Sequence, residues 1–227
     1  MQPKLTILSG IPLFSNLPPA DLKHIAAIAV DKWYAKGRTI FLEGDQGLGF
    51  YVVAAGRVKI FKVSADGKEQ ILHIYGAGHP FGEVPVFSGE SFPANAEALA
   101  ESHLLYFPKA AFVDLISRYP SLCLNMLAVL SKRLRQFTLQ VENLSLKEVP
   151  GRLASYLLYL AEEAENPAVV ELPISKGQLA SLLGTIPETL SRIFARMRDS
   201  GLIAVDGRRV VLLDMAGLEA LGQSGRL

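Results

Sequence analysis

The sequence predicts an α+β chain in three parts: an all-β unit, a long amphipathic helix, and a helical unit closed by a β-hairpin. Three observations carry this. Short β-branched and aromatic runs alternate with glycine turns from Asp31 to Phe107. A 4–3 apolar repeat then continues from Cys123 to Leu144. Beyond Pro150, a helix, a glycine, a second helix and a hairpin follow in close order. The implied boundaries are 1–118, 119–147 and 148–227.

The start of the chain reads as irregular, with Pro12, Pro18 and Pro19. A short helix follows Pro18-Pro19 and ends near Val30, with Leu22, Ile25 and Ala26 on one face. Five strands are expected, at Thr39–Phe41, Phe50–Val53, Val58–Val63, Gln70–Tyr75 and His103–Phe107. Asp66-Gly67 between two alternating runs predicts a hairpin. Turns at this short spacing fit a small barrel or sandwich. Lys109–Ser117 is a short helix, and Pro120 opens a much longer one reaching Lys147. Its seam is Cys123, Leu127, Leu130, Leu134, Phe137, Val141 and Leu144, and Leu122, Leu124, Met126 and Val129 supply a second stripe. One stripe can cover the β unit while the other meets the same helix of a second copy, so a homodimer is expected. Lys147-Glu148-Val149-Pro150-Gly151 breaks the helix and is the expected hinge, with Val149-Pro150-Gly151 expected to move. Arg152–Glu165 is helical, and Val169–Leu172 a strand.

Composition narrows the function. Of 227 residues, half are hydrophobic and a fifth charged, which excludes a disordered chain. The net charge of +1 advertises neither nucleic acid nor an anionic membrane. A single cysteine excludes an iron–sulfur cluster held by four thiolates of one chain. The uncharged stretches Leu5–Ala20 and Tyr119–Ser131 are respectively too proline-rich for a signal-peptide core and too short for a bilayer span. A cytoplasmic protein without membrane contact is expected. Enzyme chemistry is the competing class, but the chain has no P-loop, His-Glu-x-x-His, Gly-x-Ser-x-Gly or dinucleotide motif.

Residues 174–197 carry the chemistry. Ser175 caps a helix, Gly184 turns the chain, and Pro187 opens a second helix, which makes a helix-turn-helix. Leu179, Ala180, Leu183, Ile186, Leu190, Ile193 and Met197 form the packed set, leaving Glu188, Ser191, Arg192 and Arg196 outward. Arginine reads guanine in bidentate fashion and glutamate accepts from cytosine N4. Glu188 and Arg192, four apart, equally make an ordinary surface pair; the whole motif favours double-stranded DNA. Ser175, Lys176 and Thr189 complete the candidate contacts, with Arg208 and Arg209 on the hairpin as backbone contacts. Five arginines against three carboxylates between Pro187 and Arg209 concentrate the positive charge that the total conceals.

Four segments, Gly56-Arg-Val-Lys-Ile, Phe81-Gly82-Glu83, Leu144-Ser-Leu-Lys and Pro187-Glu-Thr-Leu-Ser-Arg, make the chain resemble CRP/FNR-family transcription regulators over nearly its whole length. The resemblance implies a β-roll sensor of the cyclic-nucleotide-binding type, a dimerisation helix and a winged helix-turn-helix. It also implies RNA polymerase as a partner, and a small-molecule or gas effector that shifts a bistable dimer. Glu188, Ser191 and Arg192 match the E-x-x-S-R helix of the FNR branch, implying a palindrome with TTGAT-like half-sites. The implied effector pocket holds Phe81, Gly82, Glu83, Val84, Phe92, Pro93, Ala94 and Asn95. The family's cyclic-nucleotide pocket places an arginine where this chain has Phe92 or Pro93, so cyclic AMP is not the expected effector. What remains resembles the haem-dependent nitric-oxide regulators of the family, the DNR and HcpR types. His73 and His79 are the candidate haem ligands, beside His24, His103, Met126 and Cys123. The alternatives are a cyclic-nucleotide-binding-fold regulatory module acting on a protein partner, and a regulator of the CRP/FNR type with a different small-molecule effector.

Overall fold

Antiparallel pairing of short, turn-punctuated strands sets the N-terminal architecture. The computed structural model describes residues 2–14, 17–162 and 166–225. The chain divides into two compact units, residues 1–134 and 135–227.

In the first unit, β1 (Val30–Tyr34), β8 (Ser102–Pro108), β3 (Gly49–Ala55) and β6 (Pro80–Phe81) form one four-stranded sheet. β2 (Thr39–Phe41), β7 (Asn95–Ala98), β4 (Val58–Val63) and β5 (Glu69–Tyr75) form the other. All pairs are antiparallel. The hairpin expected at Asp66-Gly67 joins β4 to β5, with Gly67 left-handed and the Ser64 N–H donating to the Lys68 carbonyl. Strand β3 reads as one apolar run because both of its faces are buried. Phe50 and Val52 point toward helices, whereas Val53 joins Val58, Phe81 and Leu104 between the sheets. Gly56 fits its family segment for a steric reason: its φ is +89°, and an added Cβ would lie 2.5 Å from the Glu101 carbonyl oxygen.

Residues 2–9, expected to be irregular, form helix α1 (Gln2–Ser9). Pro3 is compatible with a first turn, and burial of Leu8, Ile11, Leu13 and Phe14 holds the segment in the core. Helix α2 (Pro19–Ile28) follows. Three strands have no counterpart in the sequence reading. Edge strand β1 shows no burial alternation; β6 has two residues, and β7 packs the small side chains of Ala96 and Ala98.

Helices α3 (Val84–Phe87) and α4 (Lys109–Arg118) precede the long α5 (Pro120–Leu146). Leu122 and Met126 of α5 are buried in the first unit's core. Leu124 is not part of that stripe. It lies two residues, about 200°, from Leu122 around the helix and is exposed.

The second unit opens with α6 (Val149–Glu162); residues 163–165 of its expected extent lie outside the described set. Strand β9 (Val169–Glu171), helices α7 (Lys176–Leu182) and α8 (Pro187–Asp199), strands β10 (Ile203–Asp206) and β11 (Arg209–Leu212), and α9 (Met215–Ser224) follow. The sheet order is β10-β11-β9. The helical break falls at Lys147-Glu148, the start of the expected hinge segment, while Val149, Pro150 and Gly151 already belong to α6. Gly151 sits inside α6, where an added Cβ would lie 2.5 Å from Gly225 Cα. Its missing side chain permits close approach to α9. No single helix among the described residues is long and apolar enough to cross a membrane.

Candidate functional site

The helix-turn-helix is fixed locally at both ends of its turn. Ser175 and Gln178 form a capping box: Ser175 Oγ accepts from the Gln178 N–H at 3.2 Å, and Gln178 Oε1 from the Ser175 N–H at 3.0 Å. Gly184 turns the chain at φ +67°, and the Thr185 N–H donates back to the Ala180 carbonyl. Pro187 then starts α8 where its lack of an N–H costs nothing. Leu190, Ile193, Phe194 and Met197 are buried, as are Leu179, Ala180 and Leu183. Ile186, expected in that set, is half exposed because it precedes α8 as its N-cap; Phe194 joins the packing instead.

The opposite face of α8 presents Glu188, Ser191, Arg192 and Arg196 to solvent, with Thr189 half-buried between the faces. Arg192 Nη2 donates to Glu188 Oε1 at 2.5 Å. The pair is exposed and adds little stability, but it orients both side chains along the helix. Ser175 and Lys176 are exposed, and Lys176 Nζ lies 5.2 Å from the Phe194 ring centroid. On the hairpin, Arg209 is exposed, whereas Arg208 Nε donates to the Leu172 carbonyl at 2.9 Å and holds the hairpin to the end of β9.

Sequence reasoning missed Arg152. Its Nε donates to the Lys147 carbonyl at 3.0 Å and its Nη1 to the Leu183 carbonyl at 2.6 Å. Burial pulls its pKa below the ordinary arginine value. One guanidinium thus satisfies carbonyls beyond the ends of α5 and α7, a role invisible in a helix-start arginine.

In the first unit the candidate effector residues converge at the end of β6. Gly82, left-handed at φ +71°, leads from Phe81 to Glu83, the N-cap of α3, with Val84 half-buried in its first turn. Phe92 points inward and Pro93 outward. The Phe92 ring stacks on Phe41 with centroids 3.7 Å apart, and its N–H donates to the Asp45 carbonyl at 3.0 Å. A Cβ at Gly82 would lie 3.1 Å from Phe41 and 3.2 Å from Phe92. Around this stack, Ala94 is buried, Asn95 Oδ1 accepts from the Glu43 N–H, and the Pro93 carbonyl accepts from Lys62 Nζ at 3.1 Å.

Glu83 is engaged by a residue the sequence reading passed over. Arg133 of α5 donates from Nη1 to Glu83 Oε1 at 2.5 Å and from Nη2 to the Pro80 carbonyl. Its guanidinium carbon lies 4.6 Å from the Tyr75 ring centroid. The Arg133 and Glu83 side chains are only 11% and 12% exposed.

Residues 31–119 match the cyclic nucleotide-binding domain family, and residues 151–221 the Crp-like helix-turn-helix domain family. Over 214 residues the chain is 31% identical to the cyclic AMP receptor protein of Thermus thermophilus, covering 94% of this chain and 98% of that one. The chain belongs to the CRP/FNR family of transcription regulators. A second relative of the family, the fumarate and nitrate reduction regulatory protein of Salmonella typhimurium, is 30% identical over 190 residues, 82% of this chain and 76% of that protein. The structure of FixK2 from Bradyrhizobium japonicum superimposes with a TM-score of 0.76 at 25% identity, covering 86% of this chain and 97% of that one. The chain is therefore a CRP/FNR-type regulator with a cyclic-nucleotide-binding-type domain and a helix-turn-helix domain, and its relatives are regulators rather than enzymes.

The seam of this CRP/FNR chain lies open along α5. Leu127, Leu134, Phe137 and Val141 are exposed, as is Cys123, while Leu130 and Leu144 are half-buried. The candidate haem donors are dispersed. His24 stacks on Tyr119, and His103 Nε2 pairs with Asp31 Oδ1 at 2.8 Å while stacking on Trp33. Met126 is buried core. His73 packs beside Tyr75; burial first, and then the Arg133 charge, push its pKa down to about 4. His79 Nδ1 lies 3.2 Å from the Gly76 and Ala77 carbonyls, and its ring is near that of Tyr75. Among the described residues no cluster of three or more His, Cys, Asp or Glu is placed to hold a metal ion.

Proposed function

We propose that this chain acts as a homodimer that recognises an FNR-like palindrome with TTGAT-like half-sites, and works with RNA polymerase at its promoters. The carrying observation is the exposed face of α8, where Glu188, Ser191 and the ion-paired Arg192 stand on a helix anchored by Leu190, Ile193, Phe194 and Met197. Base-reading side chains need such a rigid platform, because a bidentate contact tolerates little misplacement. The open seam from Cys123 to Leu144 supports the dimer. Seven positions at coiled-coil spacing, most of them exposed apolar residues, are what a second α5 would cover. Two-fold symmetry then places two reading helices on successive major grooves, about 34–36 Å apart.

The relatives' names raise cyclic AMP as the effector, and the first unit argues against it. The place of the expected phosphate-binding arginine holds Phe92 or Pro93, neither of them charged, and the Phe92 ring packs against Phe41. An anion there would lack its charge-assisted partner. Haem draws little support from the donors present, which are dispersed over the first unit with no cluster of metal-ligating side chains among the described residues.

The test is fluorescence anisotropy on the palindrome and on a scrambled duplex, with wild type and Arg192→Ala. One lost bidentate contact in each of the two half-sites corresponds to about 2–6 kcal/mol in all, a loss of specific affinity of roughly 30-fold or more, with binding to the scrambled duplex nearly unchanged. Equal affinity of the wild type for both duplexes overturns the assignment of this reading face.

A further inference from the structure

Three features of the first unit belong together. Glu83 lies in the segment where the family resemblance locates effector contacts, yet its carboxylate already holds a guanidinium at 2.5 Å. That guanidinium comes from α5, the helix that carries the open seam. The far side of the same seat is closed by Phe92 stacked on Phe41. An effector in such a seat would have to bond the roll and α5 at once to change how they are held. Arg133 already does so: it is rooted in α5 and binds Glu83 Oε1, the Pro80 carbonyl and the Tyr75 ring face. Nor is this a loose surface pair, since both side chains are nearly buried. Among the described residues, no buried side-chain nitrogen or oxygen lacks a hydrogen-bond partner.

We propose that Arg133 is an internal substitute for the effector: it fastens α5 to the roll, so that specific DNA binding proceeds without a small molecule. The inference rests on the DNA-reading function proposed above and specifies its regulation. Arg133 is a positioning residue, acting through α5 and touching no DNA itself. Control of such a protein lies in its abundance or in whatever breaks the Arg133–Glu83 pair, and not in filling an empty nucleotide pocket. The geometry also predicts an asymmetry among substitutions. A lysine can keep the charge opposite Glu83 but cannot donate simultaneously to the Pro80 carbonyl with a planar fork, so it restores only part of the function.

The experiment uses the full chain, freed of nucleotide by refolding and checked by its absorbance ratio. Affinity for the palindrome and for a scrambled duplex is measured with no addition, with cyclic AMP and with cyclic GMP. Wild type, Arg133→Met, Arg133→Lys and Glu83→Gln are compared. The expected result is specific binding by ligand-free wild type, with less than a twofold change on adding either nucleotide. Arg133→Met and Glu83→Gln should each lose tenfold or more in specific affinity at unchanged scrambled-duplex affinity, and Arg133→Lys should fall between. Glu83→Gln keeps the shape of the side chain and approaches the same contact from the other partner, so a folding defect of Arg133→Met alone leaves the question decidable. Retention of wild-type affinity by Glu83→Gln and Arg133→Lys overturns the proposal. So does a tenfold or greater gain by wild type on adding a nucleotide, which leaves the DNA-reading function standing. Failure of every protein to distinguish the duplexes under all conditions overturns both.

Discussion

Gly151→Ala separates two roles for a glycine near a helix break. If Gly151 were a flexible hinge in an open helix, alanine would stabilise the chain by about 1 kcal/mol through helix propensity. The packing of α6 on α9 predicts the opposite. An added Cβ would lie 2.5 Å from Gly225 Cα and 3.0 Å from the Leu221 carbonyl oxygen, both backbone atoms that cannot rotate away. Ordinary contact begins near 3.4 Å, so the helices must separate by close to an ångström. Overpacking of this kind costs about 1–3 kcal/mol, and the absence of a side chain able to yield puts it at the upper end. After subtracting the propensity gain, the net loss is about 2 kcal/mol. For a unit the size of residues 135–227, that lowers the melting temperature by roughly 8–16 °C. Calorimetry of the full chain should show this shift in the second unit's transition alone. Gly222→Ala is the control, because the nearest atom to its Cβ would be Ser155 Oγ at 3.3 Å, a hydroxyl that can turn aside, with Leu158 Cδ1 and the Ser155 nitrogen at an ordinary 3.8 Å. An unchanged or raised transition for Gly151→Ala refutes the close-approach argument.

Two further outcomes follow from single residues. His73 is held neutral in the fold, with a pKa of about 4 against an ordinary 6.5. The unfolded chain therefore binds the proton more readily, and the first unit loses up to about 3 kcal/mol as the pH falls from 6.5 to 4. Urea titrations between pH 7 and 4.5 should show a shallower pH dependence for His73→Leu, and parallel curves would exclude His73 as the cause. Arg152→Met removes two charge-assisted bonds, to the Lys147 and Leu183 carbonyls, and should destabilise the second unit by about 2–4 kcal/mol. Arg152→Lys should recover less than half, since one ammonium does not span both carbonyls; a change in Arg152→Met below about 0.5 kcal/mol on urea unfolding counts against the bridge.

Local sequence signals revealed the elements whose burial is periodic or whose ends carry special residues. The Ser175–Gln178 capping box, the Gly184 turn and the Asp66-Gly67 hairpin are all fixed by chemistry within a few residues. Strands β1 and β7 escaped because their signals are not local. β1 is an edge strand exposed along most of its length, so no alternation marks it. β7 uses Ala96 and Ala98, poor strand formers by composition, because the neighbouring aromatic side chains already fill the interior. The helix α1 escaped for the reverse reason: prolines suggested irregularity, and tertiary burial of Leu8 and its neighbours prevailed. On α8 the outward face was legible from a 3.6-residue period, and only Ile186, which lies before the helix, was wrongly counted in the packed set.

Arg133 shows why the effector seat was harder to read than the DNA-reading face. In sequence it interrupts a run of leucines and resembles any solvated residue at the edge of an amphipathic helix. Its partners lie fifty residues or more earlier, and no spacing rule connects a helix position to a glutamate beyond a glycine turn. Electrostatics connects them instead. Glu83 at 12% exposure needs a counter-charge, because a lone buried carboxylate pays a desolvation penalty of several kcal/mol. Once Arg133 supplies that charge, a second buried arginine in the seat would itself be uncompensated unless an anion arrived with it. An uncharged residue in that place, Phe92 or Pro93, removes the requirement. The aromatic stack and the Arg133–Glu83 pair are thus two sides of one charge balance, which is closed without a phosphate. This is why absence of the expected arginine and presence of the unexpected one point to the same regulatory behaviour, and why changing either Glu83 or Arg133 alone should be worse than changing both to a neutral pair.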